Sequence, residues 1–326
     1  MTLTVSVTLE RWPVAGAFII SRGAKTHVDV ILCEISDGPF AGRAEATPIY
    51  YEGESAEKCA DEIRRFVAEH PNLDRAQLLQ NMPRGAARNA LDCALWDLQC
   101  RKENVALWQL TGLSPPVATV SALTISLGQP SLMESQARQA AAEGYTLLKL
   151  KLSGDNDHER VAAVHRGAPD ARLIVDANES WNDLDIAAEA GRLAQYSVEL
   201  IEQPVTAGSD HLLIGVKSPV PLCADESCHT SADIEKIAPY YDAVNIKLDK
   251  AGGLTEALAM ANAAQAMGLK IMVGCMLSTS LGIRPAFTLA QLAQWVDLDG
   301  PLLLAKDRDP AFRFAAGKIL PAQAEN

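Results

Sequence analysis

The 326-residue chain is 48% hydrophobic and 21% charged, with a formal net charge of -12, so it can bury a sizeable core and form one large domain with a smaller one. This acidity, without any cluster of Lys and Arg, excludes nucleic acid and anionic membrane surfaces as main partners, because basic clusters are what hold both. Met1 to Trp12 alternates apolar and Thr/Ser residues with no basic start, so no secretory signal is expected, and no later run reaches the ~18 apolar residues of a membrane span. Seven cysteines, with no CxxC pair, read as reduced thiols, and a cytoplasmic location is the expectation.

In chain order, residues 2–50 predict strands. Leu3 to Val7 alternates, His27 to Ile35 is rich in Val and Ile, and Gly and Pro punctuate the stretches between. Ala56 to Glu69 and Ala86 to Arg101 carry apolar residues three and four apart, and Pro83-Arg84-Gly85 is a start signal for the second helix. Residues 1–115 thus read as an α+β unit. From Val117 a short β-type run alternates with a helical run over and over, the mark of parallel strands with crossover helices. The runs are Val117–Leu127, Thr146–Leu152, Ala171–Asp176, Val198–Glu202, Pro221–Asp225, Ala243–Leu248, Lys270–Cys275 and Trp295–Asp297. They predict a modified (β/α)8 barrel over 116–305, with the tail 306–326 returning to the N-terminal unit.

Nearly every one of these apolar runs ends in a charged or polar residue: Lys149 and Lys151, Asp176 with Asn178, Glu202, Asp225, Lys247, Cys275, then Asp297 and Asp299. One strand-and-helix unit separates each from the next, so all open onto the C-terminal rim of the barrel, where such folds do chemistry. Asp176, Glu202 and Asp225 are acids without a neighbouring His or Cys ligand, a hard-oxygen set that suits Mg²⁺. Lys149 and Lys151 stand two apart on one strand and point the same way. At ~7 Å and an effective dielectric of ~20 their repulsion is roughly 2 kcal/mol, which moves a lysine toward the range where it serves as a base. Lys247, four strands on, faces Lys151 across the mouth. Two bases flanking one carbon, with a divalent ion holding a carboxylate, describe removal of an α-proton and its return to either side. A Lys base with Mg²⁺ is the general pattern already recorded for enolase-type sites.

At this point the chain resembles the enolase superfamily, muconate-lactonising subgroup, and within it the dipeptide epimerases. The resemblance rests on Lys149-Leu150-Lys151, Val175-Asp176-Ala177-Asn178-Glu179-Ser180-Trp181, Ile201-Glu202-Gln203-Pro204, Cys223-Ala224-Asp225-Glu226-Ser227, Asn245-Ile246-Lys247-Leu248-Asp249-Lys250 and Asp297-Leu298-Asp299-Gly300-Pro301. It implies Asp176, Glu202 and Asp225 as Mg²⁺ ligands, Lys151 as base for the R epimer and Lys247 for the S epimer. It also implies Lys149 and Thr124 at the substrate carboxylate, and Asp297 with Asp299 at the free amino group of a dipeptide. Asn178, Glu226 and Asn245 would support the ligands from behind.

Ser21 to Lys25 resembles the capping loop that contacts the second side chain in L-Ala-D/L-Glu epimerases, placing Arg22 and Lys25 at the substrate. Lys25 stands where that group tends to carry arginine, so a bidentate grip becomes a point-charge contact. Cys275 and Met276 are expected in the pocket wall. Trp96, Trp108 and Trp181 read as packing residues, and His229 is the one histidine close behind a barrel strand end.

The implied activity is epimerisation of a dipeptide, of the L-Ala-D/L-Glu type, in murein peptide use. N-acylamino acid racemase, cycloisomerase and o-succinylbenzoate synthase remain alternatives, as does a barrel that only binds an acidic ligand. Whether the chain forms a homo-oligomer is left open.

Overall fold

A computed structural model describes residues 3–20 and 23–321. Three antiparallel strands, β1 (Thr4–Ile20), β2 (Gly23–Asp37) and β3 (Phe40–Ala46), form the N-terminal sheet in the order β1-β2-β3. Four helices follow: α1 (Ala56–Glu69), α2 (Arg75–Asn81), α3 (Ala86–Glu103) and α4 (Leu107–Thr111). Ser55 and Asp74 cap α1 and α2, accepting from the backbone N–H of Lys58 and Gln77, the role that short polar side chains fill at a helix start.

Helix α3 is buried along most of its length because it lies between the sheet and the barrel. On one side it approaches β3 so closely that a Cβ at Gly42 would lie 2.2 Å from the Leu98 backbone nitrogen. On the other, the Arg88 guanidinium donates to the carbonyls of Ala251 (2.6 Å) and Gly252 (3.0 Å), and the Trp96 Nε1–H donates to Thr255 Oγ1 at 3.0 Å. Trp96 also takes a cation: the Arg75 guanidinium lies 3.8 Å from its ring centroid, so reading it as packing alone was incomplete.

The eight predicted barrel strands are present and parallel, each pairing with the next along the chain. The run Val117–Leu127 divides into β4 (Thr119–Val120) and the first barrel strand, β5 (Leu123–Ile125). Then come α5 (Pro130–Ala142), β6 (Leu147–Lys151), α6 (Asp157–Gly167), β7 (Arg172–Asp176), α7 (Ile186–Leu193) and β8 (Val198–Glu202). A short 3-10 turn, Asp210–Leu213, leads to β9 (Leu222–Ala224), α8 (Ser231–Ile237), β10 (Ala243–Lys247), α9 (Leu248–Ala251) and α10 (Leu254–Ala266). The circuit ends with β11 (Lys270–Gly274), α11 (Ser280–Leu289) and β12 (Trp295–Asp297). Between β12 and β5 the sheet is joined by single bonds: Ala122 N–H to Val296 O at 2.8 Å and Leu298 N–H to Ser121 Oγ at 3.0 Å.

The interior is layered. Ala122, Leu147, Ile174, Leu200, Cys223, Ala243, Met272 and Trp295 supply one buried residue per strand position and form a single apolar cluster, as barrel interiors require. Two residues further along each strand the same inward direction recurs, and there the residues are Thr124, Lys149, Asp176, Glu202, Asp225, Asn245, Gly274 and Asp297. An apolar plug thus supports a polar floor.

The tail divides between two partners. Arg308 donates to Glu10 at 2.5 Å and Glu45 at 2.9 Å in the N-terminal sheet. The hairpin β13 (Arg313–Ala315) and β14 (Lys318–Leu320) instead pairs with β4 at the N-terminal end of the barrel. This departs from a return to the N-terminal unit alone, and its reason is the backbone of β4, whose polar groups find a ladder there.

Gly42→Ala is expected to cost about 1–3 kcal/mol of stability, read as a lower urea midpoint, because the added methyl meets helix backbone that cannot turn aside.

Candidate active site

One cavity lies at the C-terminal rim of the barrel beneath the N-terminal sheet. Its wall includes Thr124, Lys149, Lys151 and Lys247 from the strand ends, with Asn178, Asp225 and Glu226 from the loops beyond them. Cys275, Met276, Asp297 and Asp299 continue the wall beyond β11 and β12, and Lys25 enters from β2. Arg22 lies outside the described residues. Asp176, Glu202 and Asn245 are fully buried below this wall, beneath the lysines that cover them.

The register fixes this grouping. Lys151 pairs with Asp176 across β6 and β7, and Asp176 pairs with Glu202 across β7 and β8, so these strand ends stand at one height. Lys151 Nζ donates to Asp176 Oδ2 at 2.6 Å, and Lys247 Nζ to Asp225 Oδ2 at 2.7 Å. Lys149 Nζ bridges Glu202 Oε2 (2.7 Å), Asp297 Oδ2 (2.8 Å) and Asp176 Oδ2 (3.3 Å). Glu202 Oε1 accepts from Asn245 Nδ2 at 2.8 Å, and Asp176 Oδ1 from the Asn178 backbone N–H at 2.9 Å. Lys250 ion-pairs with Asp225 from behind. No role was assigned to it from sequence, although its place three residues after Lys247 puts it on the turn beneath the same acid.

Burial raises the Asp176 carboxyl, but Lys151 and Lys149 reverse this and bring it to about 2. Asp225 is likewise opposed by burial and held well below the usual carboxylate range by Lys247, Lys250 and Lys149. Burial, reinforced by Asp176, leaves Glu202 raised.

The mutual repulsion expected to bring one lysine of the Lys149 and Lys151 pair down does not prevail at Lys149. Burial does disfavour its ammonium, yet Asp297, Glu202 and Asp176 hold it well above the usual lysine value. Spacing in the sequence shows only the repulsion from Lys151, whereas in the fold the Asp176 carboxylate contacts both amines. Burial with Asp297 and Asp299 nearby pushes the Cys275 thiol well up, which suits a wall residue and not a nucleophile.

The donor set fits a hard divalent ion. Asp176 and Glu202 share the Lys149 ammonium, Glu202 and Asp225 share that of Lys247, and all three are carboxylates held close together. Among the described residues no three His, Cys, Asp or Glu side chains are already drawn up as a metal cage. Their oxygens are turned to the lysines instead, so the fit is one of donor chemistry and position.

Two further features concern the rim. Asp297 Oδ1 is buried with no hydrogen-bond partner among the described residues, while Asp299 accepts from the Thr124 backbone N–H at 2.6 Å. Tyr50 and Tyr51 also line the cavity, and no periodicity in the sequence marks either. They open a 3-10 turn, Tyr50–Glu52, in which Glu52 meets His229 Nε2 at 3.0 Å and Arg84 at 2.8 Å. His229 therefore fastens the N-terminal unit to the loop after β9.

Residues 132–322 match the enolase C-terminal domain-like family, and residues 2–112 match the mandelate racemase / muconate lactonizing enzyme N-terminal domain. The chain belongs to the enolase superfamily. Among relatives, this superfamily member is 42% identical over 317 residues to the L-Ala-D/L-Glu epimerase of Escherichia coli K12, covering 97% of this chain and 99% of that one. It is 40% identical over 298 residues to the N-acetyl-D-glutamate racemase of a Pseudoalteromonas species, covering 90% and 94%.

Among solved structures, an enolase family member from Agrobacterium tumefaciens, with homology to dipeptide epimerases and bound sodium and L-Ala-L-Glu, superposes with a TM-score of 0.95. The two are 45% identical, with 98% of each chain covered. The Enterococcus faecalis dipeptide epimerase complexed with Mg and L-Leu-L-Tyr gives a TM-score of 0.92 at 27% identity, covering 99% of this chain and 98% of that one.

Behind the site, Asp249 accepts from Thr47 N–H (2.9 Å) and Asn89 Nδ2 (2.8 Å) at the seam between the N-terminal unit and the barrel. Burial, aided by Glu54 and Glu45, raises its carboxyl to about 7. The fold therefore favours the protonated form more than the unfolded chain does. The stability linked to Asp249 is complete below about pH 4, the unfolded value, and is lost as pH rises through about 7. Asp249→Asn mimics the protonated acid, so its Tm relative to the wild-type protein should climb as pH is raised across that window in paired thermal melts.

Proposed function

We propose that this chain is a Mg²⁺-dependent dipeptide epimerase that inverts the α-carbon of the C-terminal residue, with L-Ala-D/L-Glu as substrate. The observation that carries this reading is the pair Lys151 and Lys247, on strands four apart in an eight-stranded barrel, both in the wall of one cavity. They approach a bound α-carbon from opposite sides. Lys151 Nζ, as the neutral amine, takes the proton from one face, and the Lys247 ammonium returns a proton to the other. In the reverse direction the two exchange roles.

Asp176, Glu202 and Asp225 would hold Mg²⁺, whose charge beside the substrate carboxylate makes the α-proton more acidic. Lys149 and Thr124 face that carboxylate, and Asn178, Glu226 and Asn245 steady the acids. Residues 1–115 act as a cap over the barrel of 116–305.

Choice of a dipeptide over an N-acyl amino acid rests on the rim. The unpartnered Asp297 Oδ1 is a buried acceptor in the cavity wall, and leaving such an atom unpaired is costly. A substrate ammonium satisfies it, whereas an N-acyl group brings no charge. The relation to N-acetyl-D-glutamate racemase makes N-acyl racemisation the second reading.

A place in murein peptide use follows from the substrate. Among the described residues no helix is long and apolar enough to cross a membrane, and all seven cysteines are free, which suits the reducing cytoplasm.

Two measurements test this function. In D₂O, Lys151→Ala should lower net epimerisation by about 10²–10⁴-fold while Lys247 still exchanges the α-proton of one epimer, followed by proton NMR. Interconversion of both epimers by that variant would end the two-base scheme. Asp297→Asn should raise KM for the dipeptide by about 10–100-fold, the range for a lost charged hydrogen bond, and change that for an N-acetylated analogue far less. Equal effects would move the reading to N-acyl substrates.

A further inference from the structure

Four lysines reach the cavity wall, and three of them are matched: Lys149, Lys151 and Lys247 each touch a carboxylate within 3 Å. Lys25 differs. Among the described residues it meets no carboxylate, and its ammonium lies 3.5 Å from the centroid of the Tyr50 ring. Burial lowers it to about 8, and no charged group among the described residues contributes, so near neutrality it is a partly buried cation with no described anion to balance it.

Tyr50 is a fixed platform for that cation. Its carbonyl accepts from the Gly53 N–H at 3.1 Å, closing the 3-10 turn, and its ring meets Tyr51 edge-on with centroids 5.5 Å apart. The next residue, Glu52, is pinned to Arg84 and to His229 on the barrel loop. On the preceding side, the Ile49 N–H donates to Glu54 Oε2 at 2.7 Å. The ring is therefore tied to both units of the protein. A lysine side chain left alone samples many rotamers and binds an anion only after losing that freedom. Stacking on a tethered ring removes the freedom beforehand, and the ring, being uncharged, leaves the ammonium able to bind an anion.

We infer that Tyr50 is a positioning residue for substrate selection, its ring holding the Lys25 ammonium where the cavity receives an anionic substrate side chain. This rests on the dipeptide reading above and adds the residue that prepares the subsite. The sequence offers no direct sign of it, since Lys25 and Tyr50 meet only through the fold.

The test uses the full-length protein with Mg²⁺ and two nearly isosteric substrates, L-Ala-L-Glu and L-Ala-L-Gln. Tyr50→Leu should raise KM for L-Ala-L-Glu by about tenfold, within the range of a partly desolvated cation–ring contact. It should change kcat less than KM and affect L-Ala-L-Gln little. Tyr50→Phe, which keeps the ring, should restore the preference. Lys25→Met should abolish it, and adding Tyr50→Leu to that variant should cost nothing more, because the two act as one unit.

Equal losses on both dipeptides, a Tyr50→Phe variant as impaired as Tyr50→Leu, or a sharper Glu preference in Tyr50→Leu would each overturn the inference. Calorimetric binding of the same two dipeptides separates the two levels of the reading. If the wild-type protein turns over neither dipeptide, the epimerase reading falls, and the Tyr50 role then stands only where binding still favours Glu and weakens in Tyr50→Leu. Wild-type turnover or binding with no preference for Glu removes the Tyr50 role alone.

Discussion

Burying ionised carboxylates is the demand that organises this protein. Asp176 and Glu202 have no solvent exposure and Asp225 and Asp297 almost none, and an isolated charge in such surroundings costs several kcal/mol even after relaxation. The cost is met by opposite charge at contact distance, with Lys149, Lys151, Lys247 and Lys250 each set against one or more of the four acids. Strand ends at equal height bring the groups together, and a buried apolar cluster lies below them. The barrel register, the residue pairs and the chemistry are thus aspects of one arrangement.

The same demand explains what could be read in advance. An apolar run that ends in Asp, Glu or Lys is unusual, and its recurrence once per strand-and-helix unit made the barrel legible, because strand alternation converts spacing in sequence into direction in space. The helices Ala56–Glu69 and Ala86–Glu103 were legible for the same reason, with a different period. Boundaries were weaker. Val117–Leu127 reads as one apolar run, yet it serves two sheets, a division that depends on where the C-terminal hairpin finds an edge.

What stayed hidden is what depends on distant partners. The direction in which Lys149 titrates follows from Asp297, almost half the chain away, and a local estimate that sees Lys151 alone has the sign reversed. Trp96 reads as an apolar helix residue until Arg75 folds over it. Tyr50 and Tyr51 sit just past the last strand of the N-terminal sheet, where no periodicity marks them, and reach the cavity only because α3 holds that sheet against the barrel. Membership of the enolase superfamily places the general chemistry, while these contacts belong to this chain's own wall.

Asp299 carries two duties at once. It ties the ring of strands shut by accepting from Thr124 across the gap between β12 and β5, and it faces the chamber where ligand enters. Burial and its neighbour Asp297 bring its carboxyl up to about 7, so the clasp is a group poised between charged and neutral. Closure of the barrel and the shape of its chamber therefore meet in one side chain, which works beside the Ala122–Val296 and Leu298–Ser121 bonds across the same gap.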